Sequence, residues 1–220
     1  MKNRFEKNKY IVVKNVISEE LSDFAYKYFL LKRQVAETFF SSKYISPFEE
    51  MYGVWNDPQV PNTYSNYADM VMEVLLVKLL PLMEKITKLK LNPNYSYARI
   101  YKKGDVLHRH KDRFSCEIST TMHLGGGCWP IYLEPDASQG NYDEKINKYK
   151  PSKSKGIKVM LEPGDMLIYR GNELEHWREP FIGEKCAQVF LHYNNIVTEN
   201  AKENIFDRRP HLGLPAYFKK

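Results

Sequence analysis

The chain predicts one α+β domain, mostly β, built as a barrel or double-sheet jelly roll with helices ahead of it. Three observations carry that reading. Two long segments of helical apolar periodicity occupy the N-terminal part. After Pro93 the pattern turns to alternation, and short β-like runs follow, divided by Gly and Pro turns. With 220 residues and 43% hydrophobic content the chain can bury a single core, and no internal repeat divides it. Residues 1–91 then form a strand and helical support, 92–195 the β core, and 196–220 an irregular tail holding Arg208, Arg209, Pro210 and Pro215.

Tyr10–Asn15 reads as a short strand. Ser18 caps the following helix, with Glu19 and Glu20 in its first turn, where the helix dipole favours anions. Leu21, Phe24, Ala25, Phe29, Val35, Phe39 and Phe40 supply its apolar stripe. Residues 41–66, rich in Ser, Pro, Asn and Tyr, read as an ordered loop. A second helix spans about Tyr67 to Leu89, with Met70, Val71, Val74, Leu75, Leu82 and Ile86 on one side and Pro81 expected to kink or split it. Tyr95, Tyr97, Arg99 and Tyr101 then alternate with Ser96, Ala98 and Ile100. Further strands are expected over 116–124, 129–134, 156–162, 165–170 and 186–193. The polar stretch 135–156 exceeds an ordinary connection. It is read as a mobile lid over the barrel mouth, a disordered insertion being the alternative.

The net charge of +6 comes from lysines spread over the N-terminus, the 145–158 stretch and the tail. They read as solvated surface, which argues against nucleic acid as a partner. No apolar run reaches membrane-spanning length and MKNRFEKNKY has no apolar signal region, so a cytoplasmic, membrane-free protein is expected. Cys116, Cys128 and Cys186 are widely spaced and odd in number, as suits reduced thiols.

The chemistry concentrates in LHRHKD, with His176 and Lys185 downstream. Alternation would put His108, His110 and Asp112 on one strand face if the strand continued. His108/His110 is one candidate pair. His110/Asp112 with His176 is preferred, because two histidines and one carboxylate leave three positions open on an octahedral metal, as non-haem Fe(II) chemistry requires. A cation beyond the second histidine suits a carboxylate-bearing cosubstrate.

In these segments the chain resembles the Fe(II)- and 2-oxoglutarate-dependent oxygenases, within them the prolyl 4-hydroxylase-like branch. YKKGDVLHRHKD carries that branch's Tyr, Gly and His-x-Asp; GDMLIYRGNELEHWREPFIGEK carries Gly-Asp, an apolar strand, the distal His and Gly-x-Lys. The likeness covers about Asn92 to Asn195 in motif detail and the N-terminal part in layout. It implies a double-stranded β-helix with N-terminal helices packed on one sheet. It implies Fe(II) on His110, Asp112 and His176, and 2-oxoglutarate and O2 as cosubstrates, with ascorbate as an accessory reductant. Lys185 would hold the distal carboxylate of 2-oxoglutarate, and Tyr101 would line its pocket. His123 or Thr121 would assist the carboxylate, in the place where relatives carry a tyrosine or threonine. Leu107 departs from the pattern, since several members carry a second tyrosine there.

The implied reaction hydroxylates an unactivated C–H while 2-oxoglutarate becomes succinate and CO2. The substrate is expected to be a peptide or a small molecule: a peptidyl-prolyl residue by resemblance, a free amino acid or metabolite as the alternative. A jelly-roll binding module without catalysis is the reading from another class. Arg99 and Tyr97 share the Tyr101 face and are the candidate substrate-side residues.

Overall fold

The structure, a computed structural model, describes residues 3–46, 48–143, 145 and 148–220. It begins with α1 (Arg4–Asn8), β1 (Tyr10–Val13) and α2 (Glu19–Ser41). Ser18 Oγ accepts from Leu21 N at the start of α2, as its N-cap position requires. β2 (Tyr64–Tyr67), α3 (Met70–Thr87), β3 (Leu91–Lys102) and β4 (Leu107–His110) follow. Then come β5 (Ile118–Gly126), β6 (Ile131–Leu133), β7 (Asn141–Asp143), β8 (Lys148–Lys150), β9 (Ile157–Val159), β10 (Met166–Arg170), β11 (His176–Arg178) and β12 (Lys185–Asn195). The tail carries short 3-10 turns over Ala201–Arg208 and Ala216–Phe218.

A six-stranded sheet has the order β1-β10-β5-β12-β3-β2, and a four-stranded sheet the order β4-β11-β6-β9. From β3 to β6 the chain changes sheet at every strand, and it does so again from β9 to β12. All pairings are antiparallel. This is a double-stranded β-helix. One face of the larger sheet (Ala98, Ile100, Met122, Ile168, Val189, Leu191) packs against α2 and α3 in the main core. The other face and the small sheet enclose two smaller clusters. Tyr101, Leu107, Trp129, Cys186 and Phe190 build one; Ile131, Leu133, Leu167 and Tyr169 belong to the other.

The helices bury the expected faces only in part. α2 turns Ser22, Ala25, Phe29 and Ala36 to the sheet and leaves Phe24 and Leu31 exposed. Small residues allow close approach: Ser22 Oγ reaches the Leu124 carbonyl at 2.9 Å. α3 buries Met72, Leu75, Leu76, Leu79 and Met83, leaving Met70, Val74 and Val77 in solvent. It runs through Pro81 unbroken. Pro81 is exposed, so the carbonyl deprived of its donor can turn to water. Tyr67 ends β2 instead of opening the helix. Among the described residues no helix is long and apolar enough to cross a membrane.

The 135–156 stretch is not a lid over the mouth in this structure. Its described residues include the β7–β8 hairpin, tied to the outer face of the small sheet. Buried Glu175 accepts from Tyr149 Oη (3.0 Å), Ser152 N (2.9 Å), Ser152 Oγ and Arg109 Nη1 (3.2 Å). Glu175 and Trp177 alternate with His176 and so face away from the barrel interior. Residues 144, 146 and 147, part of the same expectation, lie outside the described residues.

Candidate metal centre and cosubstrate pocket

A bulge in β4 decides which histidine enters the barrel. His176 pairs with His110, but Arg178 pairs with Leu107, so β4 spends one more residue than β11 over this interval. Leu107 and His110 both reach the interior, His108 is left exposed, and Arg109 lies over the Trp177 ring at 3.4 Å. The pairing sets the imidazoles of His110 and His176 with centroids 4.2 Å apart. Asp112, just past the strand, is fixed by its N–H donating to the Gly171 carbonyl at 2.8 Å.

Candidate ligand atoms of His110, Asp112 and His176 lie within 4.8 Å of one another. Asp112 Oδ1 is 3.6 Å from His110 Nε2 and 3.4 Å from His176 Nε2. An octahedral ion about 2.1 Å from each ligand needs cis atoms roughly 3 Å apart, so a small contraction suffices. His110 Nδ1 faces the His108 carbonyl at 2.7 Å and His176 Nδ1 the Leu174 carbonyl at 3.0 Å. A carbonyl only accepts, so both Nδ1 atoms carry the proton and both Nε2 atoms keep a lone pair. Asp112 Oδ2 accepts from Ser119 Oγ at 2.8 Å, leaving Oδ1 as the ligand atom. Burial pushes the Asp112 carboxyl up, but His176 and His110 outweigh it and hold it well below the usual range. Burial pushes His176 down, and Asp112 outweighs that too, so its pKa is raised.

Gly171 makes room for this arrangement. A Cβ there would lie 2.3 Å from Asp112 Oδ2 and 2.4 Å from Ser119 Oγ. We expect Gly171→Ala to push Asp112 aside and weaken metal binding roughly tenfold to a hundredfold, as when second-shell support is lost. Metal titration checks this on protein whose circular dichroism is unchanged.

Lys185 is not brought to the site. β12 alternates regularly against β3, with Cys186, Gln188 and Phe190 on the interior face and Ala187, Val189 and Leu191 in the helix-side core. Lys185 belongs to the second set and is exposed. The inward position next to it is Cys186. The interior cation is instead Arg178, 1% exposed. Its Nη2 donates to Thr121 Oγ1 at 3.1 Å and its Nη1 to the Trp129 carbonyl; its Nε has no partner. Burial lowers its pKa, and among the described residues it has no ion pair with a carboxylate. A buried cation without an anion is costly.

Thr121 and His123 share the interior face of β5, as expected. Thr121 donates to Gln188 Oε1 at 3.2 Å. His123 donates through Nδ1 to the Leu161 carbonyl at 3.0 Å, and its buried Nε2 is unpartnered. Tyr101 is fully buried and packs edge-on to Trp129 at 4.7 Å. Tyr169 stands edge-on to His176 at 4.8 Å, and burial, then the Asp112 carboxylate, push its pKa up.

Outside the triad lies a cavity of about 600 Å³, lined among others by Tyr95, Tyr97, Arg99, Tyr169 and the three candidate ligands. Arg99 and Tyr97 do face it. Arg99 Nη2 pairs with Asp57 and donates to Gln59 Oε1 at 2.7 Å; Tyr97 Oη donates to Asp57 at 2.5 Å. Gln59 Nε2 lies 3.0 Å from His110 Nε2. Sequence reasoning missed Asp57, Gln59, Ser119, Tyr169 and Arg178. For Arg178 a signal existed, since it stands two residues after His176 on the same strand face.

No family model matches the chain, and no curated protein does. Solved structures do. A prolyl-4-hydroxylase from Pseudomonas putida matches with TM-score 0.51 at 13% identity, over 87% of this chain and 95% of that one. The non-haem alpha-ketoglutarate-dependent epimerase SnoN from nogalamycin biosynthesis gives 0.63 at 12% identity, over 87% and 80%. HygX from Streptomyces hygroscopicus, with nickel and 2-oxoglutarate bound, gives 0.58 at 15% identity, over 98% and 91%. The fold of this chain is therefore that of the iron- and 2-oxoglutarate-dependent oxygenases.

Proposed function

We propose that the chain is an Fe(II)- and 2-oxoglutarate-dependent dioxygenase that hydroxylates an unactivated C–H of a peptide or small molecule. The observation that carries this is the pair of histidines whose Nε2 atoms lie 3.6 and 3.4 Å from Asp112 Oδ1, inside a barrel that buries an arginine without an ion-pair partner among the described residues. His110, Asp112 and His176 would hold the metal, and the donor set suits iron. Once bound, iron with 2-oxoglutarate and O2 supplies the oxidising power for C–H hydroxylation. Arg178, with Thr121 and His123 beside it, would bind the far carboxylate of 2-oxoglutarate. Ser119 keeps Asp112 oriented. Tyr169, Leu107 and Trp129 exclude water from the inner site. Tyr97, Arg99 and Gln59 face the substrate side. A non-catalytic module would have no use for the unpartnered Arg178 Nε and His123 Nε2.

The prolyl-4-hydroxylase of similar fold makes a proline-containing peptide the first substrate to test, ahead of free amino acids. Anaerobic titration with Fe(II) and 2-oxoglutarate is expected to give the weak visible charge-transfer band of a chelated 2-oxo acid. His176→Ala is expected to abolish it; a band surviving that change sinks the ligand assignment. Succinate release with each substrate candidate then separates peptides from small metabolites.

A further inference from the structure

Four cations stand on or behind the cavity wall: Arg99, Lys111, Arg113 and Lys219. Arg99 is matched by Asp57. Lys111 lines the cavity between two candidate ligands, but its ammonium turns to the Ala137 carbonyl at 2.9 Å, where Glu175, Glu173 and Asp136 offset its charge. Arg113 also lines it, its guanidinium 4.9 Å from the Tyr95 ring. Only its Nη2 is engaged with an acid, Asp207, at 3.0 Å. That one carboxylate also takes Lys219 Nζ at 2.7 Å and Tyr67 Oη at 2.7 Å. Two cations therefore share one buried acid. The remaining acids on the wall are Asp112, a candidate ligand, and Glu50, which is exposed.

The backbone at Asp207 is strained for this purpose. Phe206, Asp207 and Arg208 stand at φ of 53°, 54° and 66°. A run of left-handed residues without glycine is disfavoured at each position and persists only where its surroundings hold it. Arg209 does so, through Nε to the Phe206 carbonyl at 2.7 Å and a buried ion pair with Glu73 at 2.7 Å. The strained turn thus sets Asp207 where it orients the half-exposed Arg113 over an aromatic wall, with the Tyr95 hydroxyl also bonded to it.

We propose that Arg113, oriented by Asp207 and reinforced by Lys219, receives a carboxylate of the organic substrate. This rests on the oxygenase reading and adds the class of molecule to it. A guanidinium backed by a tyrosine ring suits a planar carboxylate, and the excess positive charge repels a cationic substrate. The carboxylate is a side-chain one, of a free acidic amino acid or of an acidic residue in a peptide.

The test is calorimetry on the full chain, with and without Fe(II) and 2-oxoglutarate under anaerobic conditions. The probes are L-aspartate, L-glutamate and blocked Ala-Asp-Ala and Ala-Glu-Ala, each against its Asn or Gln counterpart. An acid bound at least tenfold tighter than its amide is expected. The pair showing the preference tells the free acid from the peptide. Arg113→Gln should erase the preference and Arg113→Lys restore part of it. Asp207→Asn should weaken it while the charge-transfer band stays unchanged. Equal binding of acids and amides, absence of binding by all the acids, or a preference that survives Arg113→Gln overturns the proposal. A missing band alongside an intact acid preference would count against the oxygenase reading alone.

Discussion

Arg178→Gln raises the 2-oxoglutarate concentration needed for half-saturation by roughly thirtyfold to several thousandfold, and Lys185→Ala leaves it unchanged. Removing one partner of a buried, hydrogen-bonded charge pair costs about 2–5 kcal/mol, and each 1.4 kcal/mol is tenfold. Arg178 is buried between the sheets with an unpartnered Nε, whereas Lys185 is in solvent on the other face of β12. The charge-transfer titration, run against increasing 2-oxoglutarate, measures both variants directly. Glutamine keeps a hydrogen-bond donor for Thr121, so the loss reports the charge rather than collapse of the pocket. If Lys185→Ala shows the larger effect, the strand register given for β12 is wrong by one residue.

Glu73→Leu alone, or Arg209→Met alone, lowers the unfolding free energy by about 3–5 kcal/mol, because each leaves its partner buried and uncompensated. Both side chains are at most 2% exposed. Glu73 also accepts from Ser96 N at 3.3 Å and from Gly213 N, and Arg209 from Nη1 reaches the Leu214 carbonyl at 2.6 Å. A domain of ordinary stability holds about 5–15 kcal/mol, so either change removes a large share. The double variant should regain part of the loss, since two apolar groups demand no counter-charge. Urea titration checks all three. The pair joins α3 to the tail, so the single variants should also expose the tail to proteolysis at concentrations where the parent resists.

The convergence of His110, Asp112 and His176 was legible in the sequence because it depends on residue type within a short motif and one distant histidine. The barrel was legible because alternation and turn residues are local. The buried interior arginine, Arg178, was not. It is chosen by which face of β12 and β11 looks inward, and a slip of one residue exchanges the faces completely. Spacing from His176 pointed to Lys185, while parity pointed to Arg178. The buried face of α2 was legible in part, at Ala25 and Phe29, and missed at Ser22 and Ala36, because close packing on a sheet favours small residues over the larger Phe24. Asp57 and Gln59 lie in a loop without periodicity, and only tertiary folding brings them to Arg99.

The bulge in β4 has a consequence for how this protein can vary. Substitution and length change act differently on such a strand. His108 sits at the extra position, bonded to the site only through its backbone carbonyl, so its side chain is free to drift among relatives. Loss or gain of a single residue between Leu107 and His110 is another matter. Loss of one residue gives β4 the same count as β11 over this interval, and both side chains then face inward on a regular strand; it is the present three-residue spacing that would turn one of them outward without the bulge. Length and bulge should therefore change together, so that relatives one residue shorter here pair the two strands without the irregularity. A comparison that scores identity at His108 would rank them wrongly.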